Sequence, residues 1–230
     1  MEEKRGQFRR ANQFMTLLPD EMSSGLFAKA TPVKISEDEL LFSAGDEGNG
    51  CYRIESGLLK LSILSEDGEE RILDILGPGC VVGELSMIDA APRSTAVYAV
   101  RDSELSFISR GAFVAYAESH PDLYRHVTTL LAQRVREMND VAVAWSFLSL
   151  EGRVAYALLE LEEACGEEID GGRMLIKQKV EQSDIAAMAG IARENASRIL
   201  NRLMRDKILS RHAGYYCIEA RKEIEKLAGK

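Results

Sequence analysis

Gly83-Glu84-Leu85 and, after six intervening residues, Pro92-Arg93-Ser94 bring together groups with complementary chemistry. A glycine lets backbone N–H groups approach an anionic oxygen closely. An arginine offers the same anion a charge-assisted fork. Glu84 would repel a phosphate, but it accepts well from a sugar hydroxyl. One phosphate clamp beside one sugar acceptor describes a nucleotide with a single phosphate and a free 2′-hydroxyl. The plainer alternative is a loop in which Glu84 and Arg93 pair only with each other.

A second constellation lies in Val180 to Leu203. Small Ala187 permits close helix crossing and Gly190 a tight turn, while Ile185, Met188, Ile191, Ala196, Ile199, Leu200 and Leu203 form an apolar stripe. This is the anatomy of a helix-turn-helix. Outside the stripe the second helix carries Arg193, Glu194, Asn195 and Arg198. In a major groove, arginine binds guanine O6 and N7, and glutamate accepts from cytosine N4. The plainer alternative is a solvated helix, since Glu194 and Arg198 have i,i+4 spacing.

The elements that must position these residues follow from composition and periodicity. The chain has 230 residues, 46% hydrophobic and 29% charged, which suits a globular protein of two domains. Its amino terminus is charged and resembles neither a secretory signal nor an anchor. The longest uncharged apolar stretch, Val141 to Leu150, is half a membrane span, so a cytoplasmic location is expected. Cys51, Cys80, Cys165 and Cys217 are far apart and lack metal-ligand spacing, so ordinary thiols are expected. A net charge of -8 argues at face value against a polyanionic partner. The distribution restores one: residues 171–230 hold 13 Lys+Arg against 7 Asp+Glu, while residues 1–170 stand at -14.

A helical lead-in is expected over Phe14 to Ala30, then a compact β unit from Thr31 to Ser109. Its short segments are Val33–Ile35, Leu40–Phe42, Cys51–Ile54, Leu58–Leu64, Arg71–Leu76, Thr95–Val100 and Glu104–Ile108, punctuated by glycines. From Pro121 to Leu150 the period becomes helical. Tyr124, Thr128, Leu131, Val135, Met138, Ala142 and Trp145 alternate at spacings of four and three, the seam of a two-stranded coiled coil. An amphipathic helix follows from Arg153, and the acidic stretch Glu162 to Gly172 reads as a solvated loop. Ile208 to Ile218 reads as a short hairpin wing.

The first constellation resembles the phosphate-binding cassette of cyclic-nucleotide-binding domains, and Arg193-Glu194 with Arg198 resembles the recognition helix of the cyclic-AMP receptor protein and fumarate-nitrate regulator (CRP/FNR) superfamily. The resemblance covers nearly the whole chain. It implies an α+β fold: a β-roll cyclic-nucleotide-binding domain over residues 1–120, a dimerisation helix and hinge over 121–148, and a winged helix-turn-helix domain over 149–230. It places Gly83, the Leu85 backbone and Arg93 at the cyclic phosphate, Glu84 on the ribose and Ser94 near phosphate or base. It makes cyclic AMP the expected ligand; Met138 and Asn139 stand where relatives contact adenine with a Thr-Ser pair, and because that pair is replaced cyclic GMP stays open as a second ligand. For DNA it implies a TGTGA-type half-site, contacted by Gln182, Arg193, Glu194, Asn195, Arg198, Arg211 and His212. The usual Ser-Arg-Glu-Thr appears as Ala192-Arg193-Glu194-Asn195, so one common hydroxyl for phosphate contact is missing, and Gln182 stands in place of an arginine; both changes weaken backbone contacts more than base readout. The implied partners are double-stranded DNA, a second copy of the chain and RNA polymerase, with no membrane.

Three rivals remain. A redox or haem sensor of the same superfamily would need an amino-terminal cysteine cluster for iron–sulfur ligation, which this sequence does not show, and His120, His126 and His212 lie outside the β unit. An enzyme acting on cyclic nucleotides would need a metal cluster or an activated nucleophile. A constitutive DNA binder would not need the intact Gly83-Glu84 and Arg93 set.

Overall fold

The structure is a computed structural model that describes residues 18–229, the side chains at 20, 130, 133, 134, 137, 140, 141, 143 and 144 excepted. The expected lead-in from Phe14 to Leu17 lies outside the described residues; from there helix α1 spans Asp20–Phe27. Contacts divide the chain into two compact units, one reaching Leu59 and resuming over Leu76–Ala142, the other joining Lys60–Ile75 to Val143 onward.

The first unit holds β1 (Thr31–Ile35), β2 (Leu40–Phe42), β3 (Gly50–Leu64) as far as Leu59, β5 (Val81–Val82) and β6 (Ala96–Ser109), while β4 (Glu70–Leu76) falls in the segment grouped with the second unit. β1, β6, β3 and β4 neighbour one another in that order, with β2 added on β6 and β5 on β3. Two pairs of expected short segments are in fact single long strands, β3 and β6. Gly57 makes this possible in β3: its φ of 102° bends the strand without ending it. A side chain there would also strike Ser103 of β6, 2.0 Å from its Oγ. That hydroxyl accepts from the Leu58 N–H at 3.1 Å and donates to the Arg101 carbonyl at 2.7 Å, so the bend is hydrogen-bonded across the strands.

Between β5 and β6 lies the short helix α2 (Glu84–Asp89), and after β6 come α3 (Arg110–Ser119), capped by Ser109, and the long α4 (Asp122–Phe147). Helix α4 has two apolar faces. Leu123 and Val127 are fully buried against Phe27, Met87, Ile108 and Phe113 in the core of the unit. Tyr124, Thr128, Val135, Met138 and Ala142, from the coiled-coil seam, are exposed.

The second unit opens on α5 (Leu150–Cys165), where the Ser149 hydroxyl accepts from the Gly152 N–H at 3.1 Å and caps the helix. Its inward stripe is Val154, Ala155, Leu158 and Leu161. The acidic stretch expected as a loop is instead the end of α5 followed by β7 (Gly166–Ile169), which pairs with β8 (Arg173–Ile176); only 170–172 turn. Glu162 is not solvated either: it is buried and holds Arg221 at 2.7 Å. The rest comprises α6 (Gln182–Ala189), α7 (Arg193–Arg205), β9 (Leu209–His212), β10 (Tyr215–Ile218) and α8 (Arg221–Leu227), with strand order β7-β8-β10-β9. Arg71, from the segment Lys60–Ile75, stacks 4.5 Å over the Trp145 ring and donates to the Ala187 carbonyl at 3.1 Å, satisfying a last-turn acceptor of α6.

Candidate nucleotide pocket and nucleic-acid interface

Gly83 caps α2 in the left-handed conformation, φ 79°. Only glycine fits, because a Cβ would lie 2.2 Å from Arg93 Nη1. Arg93 is buried, and its Nη1 donates to the Gly50 carbonyl at 2.7 Å and the Gly83 carbonyl at 2.8 Å. Its guanidinium lies 4.3 Å over the Phe42 ring. The backbone is fixed as tightly: the Arg93 N–H donates to the Asp46 carbonyl at 2.9 Å, and the Arg93 carbonyl accepts from Gly45 at 2.8 Å. The loop between β2 and β3 thus straps the Pro92-Arg93-Ser94 segment beside Gly83-Glu84.

The electrostatics follow from this burial. Desolvation pulls the Arg93 guanidinium below its ordinary pKa, while Tyr52, Cys51, Glu84 and Asp46 work in the opposite direction. Arg93 Nε is buried without an acceptor among the described residues. A buried N–H without a partner is costly, and a phosphate oxygen is the kind of acceptor that would satisfy it. The Cys51 thiol is pushed up to about 12 by burial and by Glu84, against Arg93, so it stays protonated and takes no part as an anion. The residues present therefore fit an anionic ligand at Arg93.

Gly83, Glu84 and Arg93 are brought together. Glu84 is buried, whereas Leu85 and Ser94 are exposed at the rim of the same segment. Met138 and Asn139 lie exposed on α4. Sequence reasoning missed Phe42, Tyr52 and Cys51, which surround Arg93. Phe42 and Tyr52 stack with ring centroids 6.1 Å apart, and Tyr52 meets Phe107 at 4.9 Å. An aromatic alternating with apolar residues in a strand was the only available signal.

In the second unit, a capping box between Glu181 and Asp184 starts α6, placing Gln182, half-buried, at its first position. Burial raises the Asp184 pKa, partly countered by the Glu181 N–H that it accepts. Gly190 ends the helix at φ 58°, and Ile191 donates back to the Ala186 carbonyl at 3.1 Å. Ile191 is only half-buried, because it belongs to the turn rather than to the stripe. Helix α7 buries Ala196, Ile199, Leu200 and Leu203 and leaves Arg193, Glu194 and Arg198 exposed, with Asn195 half-buried. The wing closes through Ala213 and Gly214, both at positive φ, with Tyr215 opposite His212. Arg211 and His212 are exposed on β9, and the Arg211 guanidinium lies 4.9 Å over the Tyr216 ring.

Among the described residues no helix is long and apolar enough to cross a membrane, and no group of three or more His, Cys, Asp or Glu is placed to hold a metal ion. Residues 32–120 match the cyclic nucleotide-binding domain, and residues 152–227 match the Crp-like helix-turn-helix domain. The chain is 34% identical over 170 residues to the cyclic AMP receptor protein of Thermus thermophilus, covering 74% of each. It is 29% identical over 191 residues to a CRP-like cAMP-activated global transcriptional regulator of Mycobacterium tuberculosis, covering 83% of this chain and 84% of that one. In fold it is similar to a CRP/FNR-family transcriptional regulator of Thermus thermophilus, with a TM-score of 0.71 and 23% identity over 87% of this chain and 99% of that one. With a cyclic nucleotide-binding domain joined to a Crp-like helix-turn-helix, the chain belongs to the CRP/FNR family of transcription regulators.

Proposed function

We propose that the protein is a homodimeric regulator, not an enzyme, whose binding to a palindromic TGTGA-type DNA site is switched by cyclic AMP. The observation that carries the ligand class is Arg93, a buried cation beside the left-handed Gly83 and the carboxylate of Glu84, whose Nε has no acceptor among the described residues. Gly83, the Leu85 backbone and Arg93 hold the cyclic phosphate, Glu84 accepts from the ribose 2′-hydroxyl, and Ser94 adds a hydroxyl at the rim. Both relatives described above carry cyclic AMP in their names, which supports that nucleotide.

Cyclic GMP is the second reading. Met138 supplies packing where relatives use a hydroxyl, while Asn139 both donates and accepts, so a guanine edge meets partners as readily as an adenine edge. On the DNA side Arg193, Glu194 and Arg198 read base edges from the exposed face of α7. Gln182, Asn195, Arg211 and His212 contact the backbone. The domains run over residues 1–120, 121–148 and 149–230, and RNA polymerase is the further partner.

To move a two-state regulator from 1:99 to 99:1 the ligand must prefer the DNA-competent state by about 10⁴-fold. Calorimetric titration with cyclic AMP and with cyclic GMP, followed by DNA binding with each, tests the reading. Cyclic AMP is expected to bind and to raise DNA affinity. Binding of neither nucleotide, or nucleotide binding without effect on DNA affinity, would refute the switch.

A further inference from the structure

Beyond the base-reading residues, α7 presents a second basic surface. A groove of about 1080 Å³ runs between the amino-terminal turn of α5, at Ser149 and Glu151, and the outer side of α7, at Asn195, Arg198, Arg202 and Arg205. Arg198, Arg202 and Arg205 recur at i, i+4 and i+7, so they line one side of the helix over about 10 Å. All three are exposed. Arg202 is ion-paired to Glu151 across the groove; Arg198 and Arg205 have no carboxylate within ion-pair distance among the described residues. The groove therefore holds three cations against one carboxylate, together with the hydroxyl and amide groups of Ser149 and Asn195.

We propose that this groove holds the sugar-phosphate backbone of double-stranded DNA, with Arg202 and Arg205 as phosphate contacts and Glu151 as the carboxylate that a phosphate displaces from Arg202. This rests on the reading that α7 enters DNA. The occupant is argued from continuity: Asn195 and Arg198 belong both to the groove and to the exposed face at the amino end of α7, so whatever fills the groove adjoins what that face reads. A polyanion lying against both surfaces accounts for the excess of arginine, whereas a compact ligand would leave one surface unused.

Phosphate contacts weaken binding alike on every sequence when removed, and each contributes about 0.9 to the slope of log K against log salt. The test uses the full chain with cyclic AMP, one synthetic duplex carrying two TGTGA half-sites and one scrambled duplex, from 50 to 200 mM salt. Arg205→Ala is the clean variant because it breaks no ion pair. Arg205→Ala and Arg202→Ala are each expected to weaken both duplexes and to lower the slope by about 1, so that the loss of affinity across this salt range shrinks by about fourfold. Arg202→Lys should keep the slope, and Glu151→Gln should tighten both duplexes by removing a competing carboxylate. Unchanged slopes in both alanine variants, with unfolding midpoints intact, would overturn the proposal, as would a loss confined to the TGTGA duplex, which marks base readout. An acidic protein surface as occupant would show itself in this way, by leaving DNA affinity untouched. Failure of the unsubstituted protein to retain either duplex would overturn the DNA-binding reading itself, and this proposal with it.

Discussion

Arg93 is held by two carbonyls through a single nitrogen and by one aromatic face, which leaves most of its donor capacity for something that is not protein. Leucine in its place would offer no donor. Charge-assisted bonds contribute about 1.5–3 kcal/mol each, so Arg93→Leu should weaken cyclic-nucleotide affinity by about 100-fold or more and abolish nucleotide-dependent DNA binding. Retained nucleotide-dependent binding would sink the assigned pocket. Arg193 faces a different test, since it acts by reading rather than holding. Arg193→Ala should cost about 1 to 3 kcal/mol and relax selectivity at one guanine, measured on duplexes substituted one base pair at a time. A uniform loss over all duplexes would assign Arg193 to phosphate instead. Gly83, Glu84 and Arg93 were legible in the sequence because their chemistry is local and their spacing is short. Phe42, Tyr52 and Cys51 were not, because their approach to Arg93 depends on strand register, which alternating apolar residues leave unspecified.

Among the elements, the turn between α6 and α7 depends most on a single position. Gly190 has φ 58°, and a Cβ there would lie 1.9 Å from Arg71 Nη1, the donor that caps the Ala187 carbonyl. Two costs therefore add in Gly190→Ala: about 1–2 kcal/mol for the left-handed backbone, and displacement of the Arg71 guanidinium. The expected result is a melting temperature lower by about 2–4 °C per kcal/mol, with weaker DNA binding. In an Arg71→Ala background the second cost disappears, so a double-mutant cycle by thermal unfolding should show coupling; strict additivity would mean that Arg71 does not matter to the turn. The glycine and the stripe around it could be read from sequence, but Arg71 could not, lying far away in the chain. The same limit explains β7. Gly166–Ile169 has a loop-like acidic composition, yet antiparallel pairing with β8 and the ion pair of Lys177 with Glu167, at 2.5 Å, make it a strand.

For the molecule as a whole, the separation of charge and the two faces of α4 bear on the same question. A surplus of basic residues near the carboxy terminus favours DNA, while residues 1–170 at -14 repel it, so affinity has to be concentrated on one surface. The palindromic site proposed for it needs two such surfaces, one from each copy of the chain. Leu123 and Val127 hold α4 to its own unit, with Tyr124 edge-on to Phe113 at 6.1 Å and Leu131 against the same core, so of the seam it is Val135 and Met138 that this packing does not use. Val135 and Met138 are each 57% exposed, so burying the remaining surface of these two side chains per protomer contributes about 1–2 kcal/mol apiece. Val135→Glu with Met138→Glu places four carboxylates at a seam between two copies. The double variant should sediment as a monomer while unfolding near the temperature of the unsubstituted chain, because neither position belongs to the buried core. It should still bind a single half-site duplex weakly and lose the gain in affinity that a second half-site gives. A variant that sediments as a dimer would place the interface elsewhere, and a monomeric unsubstituted chain with full palindrome affinity would remove the need for the seam altogether.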